Sequence, residues 1–114
     1  MATLDTNVLI RYLTQDNPEH ARRALALLQQ IEAGTRSATI PEGVLVETVQ
    51  VLSSRRLYNV SREEIRARLG TILRLRGLKL ENKRTYLRAL DLYVEYSRLS
   101  FVDALHRPCP THCR

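Results

Sequence analysis

The sequence predicts an α/β domain with a parallel sheet, and three observations carry that expectation. Short apolar stretches recur at residues 2–5, 37–40 and 78–80. Segments with helical apolar spacing separate them, the order expected of βα units joined by right-handed crossovers. An aspartate, Asp5, closes the first stretch, at the strand end where open α/β sheets place their ligands.

Each element has its own local justification. Residues 2–5 read as a short buried strand. The next helix spans 6–13, with Val8, Leu9, Tyr12 and Leu13 on one face. Asp16-Asn17-Pro18 is a turn that starts a second helix, with proline where its missing N–H costs nothing. That helix runs to about Ala33, burying Ala21, Ala24, Leu25, Leu28 and Ile31, and Gly34 ends it. Residues 37–40 are a second strand. Pro41 opens a helix through Val44, Leu45, Val49 and Leu52. Ser61 and Glu64 form a capping box for a helix carrying Ile65, Leu69, Ile72 and Leu73, closed by Gly77. Residues 78–80 are a third, weak strand. Asn82 precedes a helix carrying Tyr86, Leu87, Leu90 and Tyr93, and Ser100 caps a last helix beginning at Phe101.

The 114 residues suit one domain, and 44% are hydrophobic, enough for a core. No apolar run reaches the roughly 18 residues of a transmembrane helix. Asp5 and Arg11 interrupt the N-terminal apolar stretch, so the expectation is no signal peptide and a cytoplasmic location. The 18 Lys and Arg against 12 Asp and Glu leave a net charge of +6. Such a chain attracts polyanions, nucleic acid foremost, although charge also serves solubility. Aromatic residues are 5%, which disfavours a stacking platform for bases and points to phosphate contacts instead. Lys79, Lys83, Arg84 and Arg88 form a basic stretch, either a solvated helix face or a phosphate contact. Both cysteines, Cys109 and Cys113, fall near the end, so no disulfide framework holds the fold.

Three acids are candidates for chemistry. Asp5 either caps the helix after it or sits in a site at the end of the sheet. Asp103 lies among Leu99, Phe101, Val102, Ala104 and Leu105, where a carboxylate is costly unless paired, hydrogen-bonded or bound to metal. The helix dipole gives it partial relief, and a solvent-facing helix start is the plainer alternative. Glu47 falls opposite the apolar face of its helix, beside Gln50, as exposed helix glutamates do. Carboxylates from separate elements can converge at one end of a sheet to hold Mg²⁺ or Mn²⁺, which prefer hard oxygen ligands. Such an ion activates water and neutralises charge on a phosphodiester, so no histidine base is needed.

In this arrangement the chain resembles the PIN domain, specifically the VapC-type toxin ribonucleases of bacterial toxin–antitoxin pairs. The segments LDTNVLIRYLTQDNPEHA, IPEGVLVETVQVL, GLKLENKRTYLRALDLY and LSFVDAL carry the likeness, over about residues 2–105, in order and with family-like spacing. The resemblance implies a three-layer α/β/α sandwich around a parallel sheet. It implies Asp5, Glu47 and Asp103 as the metal-site and catalytic acids, with Thr6 and Asn7 supporting them by hydrogen bonds. It further implies Mg²⁺- or Mn²⁺-dependent hydrolysis of RNA by in-line attack of water, leaving a 5′-phosphate and a 3′-hydroxyl. The implied partners are RNA, a cognate antitoxin and a second copy of the chain.

The chain departs from the family after residue 105. Residues 1–105 read as the PIN-like domain, and residues 106–114, HRPCPTHCR, as an atypical tail unlike a helix, with Pro108 and Pro110 close together. No acid follows Asp103, so the family's last acidic position and last strand or strands are expected to be missing. One codon assignment for the tail, read one base on, gives Thr-Ala-His-Ala-Arg-Arg-Ile-Ala, a family-like helix, and the expectation is a frameshift. His106, Cys109, His112 and Cys113 are zinc-ligand types, but their spacing is too compressed for the usual paired layout. Three function classes compete. The first is a ribonuclease toxin, impaired or not by its ending. The second is an inactive remnant that binds antitoxin or RNA. The third is a receiver- or phosphatase-like domain using Asp5, against which stand the missing second aspartate of a DxDxT loop and the lack of a matching lysine motif.

Overall fold

The computed structural model describes residues 2–15 and 17–106. Among these residues, six helices accompany a small parallel sheet. The order is β1 (Ala2–Thr3), α1 (Thr6–Thr14), α2 (Pro18–Ala33), β2 (Ala38–Thr39), α3 (Glu42–Ser53), α4 (Arg62–Leu73), α5 (Lys83–Glu95) and α6 (Phe101–His106). This helix-rich α/β architecture agrees with the expected α/β/α class.

The sheet is short because few residues qualify for it. β1 pairs with β2 in parallel, Ala2 beside Ala38 and Thr3 beside Thr39. The amides of Ala2 and Leu4 donate to the carbonyls of Ser37 and Thr39, each at 2.9 Å. The expected third strand is reduced to one parallel bridge, Ala38 to Leu78. Ala38 N donates to Gly77 O at 3.0 Å and Lys79 N to Ala38 O at 2.8 Å. Leu-Lys-Leu has no β-branched residue to extend the ladder further.

The helices start and stop where side chains meet orphan backbone groups. Asp5 caps α1, Asn17 caps α2 and Ser61 caps α4, each accepting a first-turn amide. Gly34 ends α2 at φ 81°, a left-handed conformation that glycine adopts without a Cβ penalty. Gly77 does not close α4 as expected: the helix ends at Leu73, with Arg74 as its cap. Gly77 serves a close approach instead. A Cβ there would fall inside contact distance of the carbonyl oxygens of Arg36 and Ile31. Its own amide donates to Ile31 O at 2.8 Å.

The core unites Leu4 and Ile40, each one residue past its strand, with Leu9, Ile31, Leu45, Leu52, Ile65, Leu69 and Leu90 from the helices, all at most 2% exposed. Leu25 is not part of it, contrary to expectation. The buried stripe of α2 runs through Ala21, Ala24, Leu28 and Ile31, and Leu25 lies one residue off it, 39% exposed. Helix α1 packs on α2 and α3, and α6 packs on α3 and α5. Helix α3 thus touches both α1 and α6. No helix among the described residues is long and apolar enough to cross a membrane. Asp16 and residues 107–114 lie outside the described residues, and with them the zinc-ligand and frameshift expectations for the tail.

Candidate functional site

Asp5 stands two residues past β1 in extended backbone, φ −104° and ψ 173°. That conformation lets its side chain turn back on the helix it begins. Oδ1 accepts from the Val8 amide at 2.9 Å. The capping role is therefore real, and it occupies one oxygen. The other, Oδ2, has no hydrogen-bond partner among the described residues, on an exposed side chain. One carboxylate can cap the helix and still offer an oxygen outward.

Glu47 lies mid-way along α3, exposed on the side away from Leu45, Val49 and Leu52, as its helical position predicts. Because α1 packs on α3, Thr6 reaches it: Thr6 Oγ1 donates to Glu47 Oε2 at 3.1 Å. This bond places the second acid against the residue that follows Asp5. Asn7 is exposed on the same turn of α1.

Asp103 is the third residue of α6, and its amide donates to Ser100 Oγ at 3.1 Å. Its apolar neighbours do not surround it. Phe101, Ala104 and Leu105 turn into the core and leave Asp103 exposed. The desolvation cost expected from the sequence is therefore not incurred, and the solvent-facing helix start is what forms. At the end of α6, His106 Nε2 lies 3.8 Å from Glu42 Oε2 at the start of α3.

The donors are carboxylate oxygens throughout, the set that suits a hard divalent cation. Among the described residues, however, no group of three or more His, Cys, Asp or Glu is placed to hold a metal ion. Thr6, next in sequence to Asp5, bonds Glu47, and the third acid stands on a separate helix. The donor chemistry alone suits such an ion, and the helix of the third acid packs on α3.

A cleft of about 770 Å³ opens at the carboxyl end of β2, lined by Thr39, Glu42, Arg76, Lys79, Asn82 and Lys83, among others. Of the basic stretch singled out above, Lys79 and Lys83 reach this cleft, whereas Arg84 and Arg88 do not line it. Lys83 Nζ also donates to Leu78 O at 3.1 Å. Tyr86, at the cleft wall, has its phenol pushed above its ordinary pKa, first by burial and then by the charge of Glu42, with a hydrogen bond from Asn82 pulling the other way.

Sequence reasoning missed Arg62. Its Nη1 donates to Leu99 O at 2.6 Å and Tyr93 O at 2.7 Å, with a longer bond to Tyr96 O at 3.4 Å. The guanidinium lies 4.0 Å over the Tyr93 ring. One signal was available. Arg62 is the first residue of α4, where a cation opposes the helix dipole and needs another reason to be there.

Compared with protein families, the chain matches the PIN domain model over residues 2–109. Comparison with curated proteins found no match.

Proposed function

The chain belongs to the PIN domain family, a nuclease fold that is commonly a metal-dependent ribonuclease, and on that premise we propose that it is a VapC-type endoribonuclease toxin. Its substrate is RNA, its cofactor Mg²⁺ or Mn²⁺, and its partners a cognate antitoxin and a second copy of itself, in the cytoplasm. Asp5, Glu47 and Asp103 would hold the ion, as the catalytic acids. When bound, the ion supplies activation of water and charge neutralisation at the phosphodiester.

The chain's own residues do the rest. The bond from Val8 holds Oδ1 of the Asp5 carboxylate and leaves Oδ2 to serve the ion. The Thr6 hydroxyl holds Glu47 in one orientation, as outer partners of metal ligands do. Arg76 and Lys79 in the neighbouring cleft supply positive charge for the flanking phosphates of the RNA.

The Thr6–Glu47 bond is the observation that carries this reading, because it joins the second acid, across 41 residues of sequence, to the residue that follows the sheet-end aspartate. The test is cleavage of structured RNA by purified protein in Mg²⁺, Mn²⁺ or EDTA, beside Asp103→Asn. Cutting in either metal, lost in EDTA and in the variant, supports it. Cutting that persists in EDTA contradicts it.

A second reading, an inactive PIN remnant that binds antitoxin or RNA, draws on the absence of a closed three-acid group among the described residues. It predicts no cleavage in any metal by protein that still binds RNA.

A further inference from the structure

We propose that Arg62 is a positioning residue for Asp103: it fixes the turn that launches α6 and so determines whether the third acid reaches the other two. The inference rests on the reading of Asp103 as a metal ligand.

The Asp103 side chain makes no hydrogen bond among the described residues, and α6 is only 6 residues long. A helix so short has little stability of its own, so its place must be set by what holds its ends. At its start stands the turn from Tyr96 to Ser100, which carries the chain out of α5. The turn has one bond of its own, Leu99 N to Tyr96 O at 2.9 Å, and the last carbonyls of a helix lack intrahelical partners. Arg62 collects them. One guanidinium binds the carbonyls of Tyr93 in α5, Tyr96 at its cap and Leu99 just before α6. These bonds span the whole turn, so its two ends cannot separate without breaking them.

A second set of contacts runs the same way. The guanidinium sits on the Tyr93 face, and Tyr93 meets Phe101 edge-to-face at 6.1 Å between ring centres. Phe101 is the first residue of α6, two before Asp103, and is 4% exposed. Arg62 is itself anchored, because Ser61 Oγ caps α4 through the Glu64 amide at 3.2 Å. Arginine suits the task. It offers several donors in a planar fork and stacks on an aromatic face, whereas lysine presents a point charge.

The test uses the full chain and Mn²⁺ alone as probe, with free Mn²⁺ read by electron paramagnetic resonance. Arg62→Met keeps the aliphatic stem and removes the donors. Arg62→Lys keeps the charge and serves if the methionine variant does not fold, as judged by thermal melting. Arg62→Met is expected to weaken Mn²⁺ binding about tenfold, in the range seen for outer partners of metal ligands, with Arg62→Lys in between. In an Asp103→Ala background, either Arg62 variant is expected to change nothing further. Wild-type Mn²⁺ affinity in folded Arg62 variants, while Asp103→Ala binds weakly, overturns the positioning role and leaves the metal site standing. An equal loss in both backgrounds also overturns it, because Arg62 then acts through the fold at large. If Asp103→Ala binds Mn²⁺ like the wild type, the reading of Asp103 as a ligand falls and takes the inference with it.

Discussion

The hydroxyl of Thr6 donates to Glu47 Oε2 at 3.1 Å, joining the first turn of α1 to the middle of α3. The bond is exposed, so water competes for both partners and its contribution to stability is small. Its value lies in holding a carboxylate still. Thr6→Val keeps the shape and removes the donor. It is expected to leave the melting temperature within a few degrees of wild type and to lower Mn²⁺ affinity or cleavage about tenfold. Parallel melting and Mn²⁺ titration check this.

Asp5 has two roles that substitution separates. Asparagine caps helices as well as aspartate does, whereas alanine costs about 1 kcal/mol at an N-cap. Asp5→Asn is therefore expected to keep the stability of the wild type and lose metal-dependent cleavage. Asp5→Ala is expected to lose both. Urea unfolding of the two variants beside the wild type measures the difference.

Gly77 is the glycine that packing requires, because backbone carbonyls of Arg36 and Ile31 occupy the space of a Cβ. Those oxygens belong to main chain and cannot swing away. Gly77→Ala is expected to destabilise the fold by about 1–3 kcal/mol, the range for overpacking. Denaturant melts read this directly. A variant as stable as the wild type would mean that the segment after Ile31 moves freely against residues 74–78.

Tyr86 gives the fold an alkaline dependence. Burial, reinforced by Glu42, raises its folded pKa above the ordinary value of 10.0. From that value upward the folded state holds a proton that the unfolded state has released. Stability is thus undiminished below pH 10 and falls as pH climbs to the folded pKa. Tyr86→Phe has nothing to ionise, so its stability is expected to decline less above pH 10. Unfolding free energies across that range, for both proteins, test the sign.

The sequence made the helices legible because their signals are local. Asn17-Pro18, Gly34 and Ser61 mark caps and stops by their own chemistry, and each does so in the structure. The third strand was less legible, since whether residues 78–80 pair depends on a neighbour, Ala38, forty residues away. Gly77 misled for a related reason. A glycine can end a helix or admit another backbone, and only tertiary packing distinguishes the two. Of the site, Asp5 and Glu47 were readable as candidates, but the Thr6–Glu47 bond was not, because it requires α1 to lie on α3. Asp103 drew attention through its apolar neighbours, yet helical periodicity turns those neighbours inward and the carboxylate out. Arg62 left one trace, a cation at the start of a helix, but its partners are backbone carbonyls, which residue identity does not reveal.

The most direct measurement is the end chemistry of RNA fragments produced in Mn²⁺ by the wild type and by Asp5→Asn. The account predicts 5′-phosphate and 3′-hydroxyl ends from the wild type and no fragments from a folded Asp5→Asn protein. Fragments ending in 2′,3′-cyclic phosphates, or undiminished cutting by Asp5→Asn, would contradict it.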